Sequence, residues 1–165
     1  MPAWRVAAVA GLLVLLAPPG PVAAQGRGGK QSFFHGPLSV GPRAGRDFEN
    51  HAWSLGGQVS LPVGENLELR PSGDFFFPKD GDTGWQINGD AAFHIGKNRS
   101  IYGGGGIAFA HPGGGDTRTG YNVFAGVTAD PRISRATPFL EARWTFVNDT
   151  SPFRLVLGFN YRLGG

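Results

Sequence analysis

Apolar and polar side chains alternate along most of this chain with a period of two. The pattern is clearest near the end, where every second residue from Phe153 to Leu163 is apolar and most residues between them are polar or glycine. Such a period is typical of a strand with one apolar face. After residue 24, no helical stripe at i, i+3 and i+4 competes with it. The chain is therefore predicted to be all-β.

Seven clusters of turn-forming residues divide the alternating region. They leave eight predicted strands, at about 38–46, 53–62, 65–77, 84–95, 99–111, 117–129, 136–147 and 152–163. Most are longer than the usual strand of about 5–6 residues, and a tilted strand needs about 9–11 residues to cross a bilayer. An even number of such strands with short connections predicts an eight-stranded antiparallel up-and-down transmembrane β-barrel.

The volume of the apolar side chains predicts which face points outward. An eight-stranded barrel has an interior just wide enough for side chains or one small ligand. The apolar face carries too many large residues for that space, including Trp53, Trp85 and Trp144. The volume argument therefore disfavours a secreted, soluble, lipocalin-like carrier with its apolar face inside. A porin is disfavoured because eight strands leave no aqueous channel.

The opposite face is rich in small residues and carries charges of both signs, which must pair with one another in a narrow, dry lumen. Hairpin pairing is expected to place Glu68 opposite His94 and Arg70 near Asp90. We expect a closed polar network without an open channel. Its predicted members are Glu68, Arg70, Asp74, Asp90, His94, Glu141, Arg143, Arg154 and Arg162.

The first 24 residues have the features of a secretory signal peptide. Arg5 supplies a positive start, residues 6–16 form a short apolar stretch, and small residues precede a cleavage site after Ala24. The Gly-rich segment 25–36 is predicted to be a flexible tail. Residues 37–165 are then the predicted membrane barrel, which the resemblance described below places in the outer membrane.

Composition limits the chemistry that the chain can perform. It has no Cys, which excludes disulfides and thiolate metal sites, and its net charge of +3 includes no Lys/Arg-rich block that would favour nucleic acid. The four His residues are too dispersed for a standard zinc site. We predict no catalytic residues, no metal and no cofactor, and the sequence identifies no small-molecule ligand.

His111 is the residue on which an enzymatic alternative depends. It is expected at the outer rim of the fifth strand, pointing to lipid, where some lipid-modifying barrels place a catalytic His. Such an enzyme also needs a nucleophilic Ser and an acid nearby. No outward Ser is predicted at that height, and Asp116 lies in a loop. A lipid-A-modifying enzyme therefore stays an alternative, and a non-enzymatic barrel is preferred.

Several segments resemble the bacterial outer-membrane β-barrel domain family, in its small eight-stranded, OmpA/OmpX-like group. They are 40–45, 53–56, 67–74, 102–106, 137–146 and 157–161. The resemblance implies a Gram-negative outer membrane with both chain termini in the periplasm. Its implied partners are outer-membrane lipid, the barrel assembly machinery and periplasmic chaperones.

The last strand is similar to the assembly signal of that family, with Gly158, Tyr161 and Leu163 at the expected spacing. It departs from the family pattern by ending in Leu-Gly-Gly instead of a terminal Phe. The family does not share one activity. The preferred interpretation is a non-enzymatic integral outer-membrane protein with an occluded polar lumen, and a role in envelope structure or surface interaction.

Overall fold

A computed structural model describes residues 34–130, 133–148 and 151–164. The predicted signal peptide, its cleavage site and most of the predicted tail lie outside the described residues. Within the described part, the amide of His35 donates a hydrogen bond to the carbonyl of Pro62, at 2.9 Å. The same part of the chain includes no helix that is long and apolar enough to span a membrane.

Eight antiparallel strands form one closed barrel. Each strand pairs with the next along the chain, and the last pairs with the first. The strands are β1 (Ser39–Asp47), β2 (Ala52–Pro62), β3 (Leu67–Pro78), β4 (Gly84–Ile95), β5 (Ile101–His111), β6 (Arg118–Thr128), β7 (Ala136–Phe146) and β8 (Phe153–Arg162). The predicted fold is confirmed, with every strand boundary within two residues of its expected place. Closure leaves no strand edge unpaired.

The alternation divides each strand between the lumen and the exterior. On β3, Arg70 and Asp74 point inward and are buried, whereas Leu69, Phe75 and Phe77 point outward and are exposed. The same division holds around the barrel, because a pleated strand turns successive side chains to opposite faces. The polar face is inside, which is the opposite of what a lipocalin-like carrier requires.

The barrel has two ends with connections of similar length. The loop end carries the connections 48–51, 79–83, 112–117 and 147–152. The terminus end carries residues 34 and 164, where the described part begins and ends, and the connections 63–66, 96–100 and 129–135. All seven connections hold four to seven residues. The loop end therefore offers little chain to form a large binding surface.

Glycines on the inner face make room for large neighbours on the adjacent strand. Tyr102 is the cross-strand partner of Gly126, and a Cβ on that glycine would lie 2.5 Å from the tyrosine ring. Phe124 faces Gly104 in the same way. Contacts this short exclude any larger residue without repacking. The abundance of glycine thus follows from the filling of a narrow lumen.

Candidate functional site

The centre of the lumen contains an ionic cluster of four arginines and four carboxylates. Each of these side chains is at most 10% exposed. Charges buried this deeply are stable only when they are paired and hydrogen-bonded. The cluster consists of Arg43, Arg70, Arg143, Arg154, Glu68, Asp74, Asp90 and Glu141.

Three of these residues form a positively charged trio. Arg43 Nε donates to Asp74 Oδ1 at 2.8 Å, and its Nη2 contacts the other carboxylate oxygen. Arg154 Nη1 lies 3.5 Å from Asp74 Oδ2. Two guanidinium groups share one carboxylate, so the trio carries a net charge of +1.

The remaining five residues form a chain of alternating charge. Arg70 contacts Glu68 at 2.9 Å and Glu141 at 3.0 Å. Arg143 contacts Glu141 at 2.9 Å and Asp90 at 2.7 Å. Three carboxylates alternate with two guanidinium groups, so this chain carries a net charge of −1 and balances the trio.

The neutral side chains of Thr145 and Asn122 connect the positively charged trio to the five residues of alternating charge. Arg154 Nη2 donates to Thr145 Oγ1 at 3.3 Å, and Thr145 donates to Asn122 Oδ1 at 2.8 Å. The amide nitrogen of Asn122 donates to Asp90 Oδ1 at 3.0 Å. Because the path is unbroken, all eight charged residues belong to one hydrogen-bonded network.

Aromatic rings cover the faces of the arginines in this network. The guanidinium carbon of Arg70 lies 4.6 Å from the centre of the Tyr102 ring, and that of Arg143 lies 4.6 Å from the Phe124 ring. The hydroxyl of Tyr102 donates to Glu141 at 3.1 Å. Desolvated cation–π contacts, such as those of Arg70 and Arg143, stabilise the fold by about 2 kcal/mol each.

The predicted lumen residues mostly meet, but not always in the expected pairs. Arg70 and Asp90 are cross-strand neighbours. However, the Arg70 side chain reaches Glu68 and Glu141, and Asp90 pairs with Arg143 from β7. A long guanidinium side chain can cross a narrow lumen, so backbone register does not determine its partner.

His94 and Arg162 lie at the edge of the network or beyond it. His94 Nε2 is 3.2 Å from Glu68, and its Nδ1 is 3.0 Å from the carbonyl of Arg99. Arg162 lies apart from the ionic cluster. It is the last residue of β8, and its Nη2 donates to the carbonyl of Ser134 at 3.2 Å.

The three residues of the predicted assembly signal occupy different positions. Gly158 faces the lumen, where a Cβ would lie 2.8 Å from the ring of Phe139. Tyr161 and Leu163 are 45% and 43% exposed, and the amide of Leu163 donates to Leu38 O at 2.7 Å. Their role in assembly stays a prediction.

Several inward-facing residues are absent from the predicted network, although the period of two places them on the lumen face. Arg43 lies on β1, where glycine and proline obscure the alternation. The others are uncharged or aromatic members of the lumen face. They are Gln58, Asn88, Tyr102, Asn122, Phe124 and Thr145.

A pocket lies on each side of the ionic cluster. The loop-end pocket measures about 440 Å³, and its lining includes Asp47, Asp80, Asp82 and Arg118. The terminus-end pocket measures about 480 Å³. The network thus separates two openings of the lumen.

His111 has no catalytic partner among its contacts in the described residues. Its ring stacks on Trp85 at 5.4 Å, and its Nδ1 lies 3.2 Å from the hydroxyl of Thr117. Across the same residues, no group of three His, Asp or Glu side chains is arranged to hold a metal ion.

An apolar exterior around an ion-paired interior defines the class of small transmembrane β-barrels. No family model and no curated protein matches the sequence. Solved structures do match. The N-terminal β-barrel domain of Pseudomonas aeruginosa OprF aligns at a TM-score of 0.64 with 16% identity, covering 76% of this chain and 96% of that one.

Two further structures are similar. Neisserial surface protein A aligns at a TM-score of 0.54 with 13% identity, covering 76% of this chain and 94% of that one. A transmembrane β-barrel designed de novo aligns at 0.53 with 13% identity, covering 78% and 96%. The chain therefore has the fold of the small outer-membrane barrels, as the sequence resemblance implied.

Proposed function

We propose that this protein is a non-enzymatic integral outer-membrane barrel whose lumen is occluded at mid-height. Its role would be in envelope structure or small-scale surface interaction. The observation that carries the proposal is the balanced network of four arginines and four carboxylates across the lumen. An ion entering this region would have to displace existing charge pairs.

The apolar exterior supports the location in a membrane. Leu55, Ile87 and Leu157 are each about half exposed or more, at 58%, 49% and 61%. Soluble monomers rarely expose contiguous apolar patches above a few hundred Å². Outer-membrane lipid is the proposed surrounding. The barrel assembly machinery and periplasmic chaperones are the proposed partners during export, after cleavage following Ala24.

Electrical recording tests the occlusion. The purified barrel is inserted into planar lipid bilayers, and its current is compared with that of a 16-stranded porin. We expect no sustained unit conductance, because the ion pairs fill the section of the lumen between the two pockets. A steady, reproducible conductance from the folded protein would contradict the occluded lumen.

Lipid analysis tests the absence of enzymatic activity. Lipid A is isolated from cells that express the protein and from cells that express a His111→Ala variant, and its mass spectrum is recorded. We expect identical spectra, because the contacts of His111 within the described residues are with Trp85 and Thr117, and neither is a serine nucleophile. A mass change that requires His111 would favour the lipid-A-modifying enzyme.

A further inference from the structure

The pocket at the terminus end is lined by donors of hydrogen bonds. Arg99 lies in the connection after β4, and Arg162 ends β8. Ser39, Thr137 and Asn160 are among the uncharged donors that also line it. Asn160 Oδ1 accepts from Gln58 at 2.8 Å, which leaves its NH₂ group to donate. Glu68 is the member of the ionic cluster that also lines this pocket, and the site does not depend on the role proposed above.

The positive charges in this pocket have no carboxylate partner within the described residues. Glu68 also lines the pocket, but Arg70 and His94 already contact it, at 2.9 and 3.2 Å. Arg162 donates to a backbone carbonyl instead. Among the described residues that line the pocket, Glu65 is the carboxylate without an ion-pair partner, and it is exposed in the connection after β2.

Arg99 carries an unused donor. Its Nε is buried and has no hydrogen-bond partner among the described residues. A buried N–H without an acceptor costs about 1–3 kcal/mol, more for a charged group. Arg99 lines the pocket, and a small shift of its side chain that presented Nε to an acceptor there would remove this cost. An anionic oxygen is the strongest acceptor for a guanidinium.

The backbone of Arg99 is also unusual. Its φ of 55° lies in the left-handed region, which Gly or Asn adopts at lower cost than Arg. The turn is held by the backbone of Arg99 and not by its side chain. Its amide donates to Gly96 O at 3.2 Å, and its carbonyl oxygen lies 3.0 Å from the ring nitrogen Nδ1 of His94. The fold therefore does not need an arginine side chain here.

From these observations we propose that the terminus-end pocket binds an oxyanion group, a phosphate or a carboxylate. Arg99 and Arg162 supply the cationic donors, and Asn160 and Thr137 supply neutral donors. Guanidinium groups suit such ligands because their planar donors match two oxygens at once. Glu65 opposes the ligand at the mouth.

Calorimetric titration of the detergent-folded barrel tests this site. Inorganic phosphate and acetate are compared with chloride at equal ionic strength. We expect phosphate, acetate or both to release heat that chloride does not, which identifies the preferred anion. Arg99→Asn should weaken binding about tenfold without loss of stability, because Asn tolerates the positive φ. Glu65→Gln should strengthen binding.

Arg135→Asn is the matched control. Arg135 is exposed at the same end of the barrel and does not line the pocket. We expect its loss to change affinity less than twofold. Equal weakening in both arginine variants would overturn the site and leave a diffuse field of positive charge. The absence of anion-specific heat in the unmodified barrel would also overturn it.

Discussion

Replacing Arg143 by Met should destabilise the barrel strongly, because it leaves one buried carboxylate of the lumen network without an ion-pair partner. The Arg143 side chain is fully buried and contacts Asp90 at 2.7 Å and Glu141 at 2.9 Å. Without it, Glu141 keeps Arg70 at 3.0 Å, but Asp90 keeps only hydrogen-bonding neighbours such as Asn122. An uncompensated buried charge costs about 3–5 kcal/mol, which is the expected loss.

The free energy of unfolding is measured by urea titration of the barrel in detergent micelles. Trp53, Trp85 and Trp144 lie on the outer face and report insertion through their fluorescence. Arg118→Met is the control, because Arg118 is exposed and should change stability by less than about 0.5 kcal/mol.

A second variant separates charge from packing. Combining Arg143→Met with Asp90→Asn removes both members of the 2.7 Å pair. The double variant should recover about 2 kcal/mol or more of the loss, since no unpaired carboxylate remains at that site. A loss below about 1 kcal/mol in Arg143→Met, or no recovery in the double variant, would refute the proposed energetic role of the network.

Three further outcomes are expected. Gly126→Ala should cost about 1–3 kcal/mol in the same titration, because its Cβ would lie 2.5 Å from Tyr102. Leu157→Arg should destabilise the lipid-inserted barrel by about 2–4 kcal/mol, whereas Ile133→Arg in an exposed connection should have little effect. Tyr161→Ala should lower the amount of barrel assembled in cell envelopes without slowing refolding in detergent. Equal amounts of assembled barrel for the unmodified protein and the Tyr161→Ala variant would contradict a role of Tyr161 in assembly.

The fold could be predicted from sequence because a barrel wall obeys one strict rule. Successive side chains of each strand point alternately to lipid and to the lumen. The odd or even position of Leu69 and Arg70 along β3 is therefore enough to predict which face each occupies. Turn-forming residues then determine where each strand begins and ends. Boundaries such as Gly84–Ile95 follow directly, because polar and glycine-rich connections interrupt the apolar pattern there.

The pairing inside the lumen could not be predicted in the same way. Register makes Arg70 and Asp90 neighbours, yet Arg70 pairs with Glu68 on its own strand and with Glu141 on β7, and Asp90 pairs with Arg143 on β7. The choice depends on where space is left by inward aromatic rings such as Phe124, and by the glycines beside them. The positions of these rings and glycines relative to one another are defined only once all eight strands have formed the closed barrel.

The most direct test of a closed, lipid-facing barrel is heat modifiability on a gel. The protein is extracted from the envelope fraction in detergent and run with and without boiling. We predict that the unboiled protein migrates faster, because the closed barrel stays folded and compact until it is heated. Recovery without detergent, with identical migration of both samples, would contradict the account.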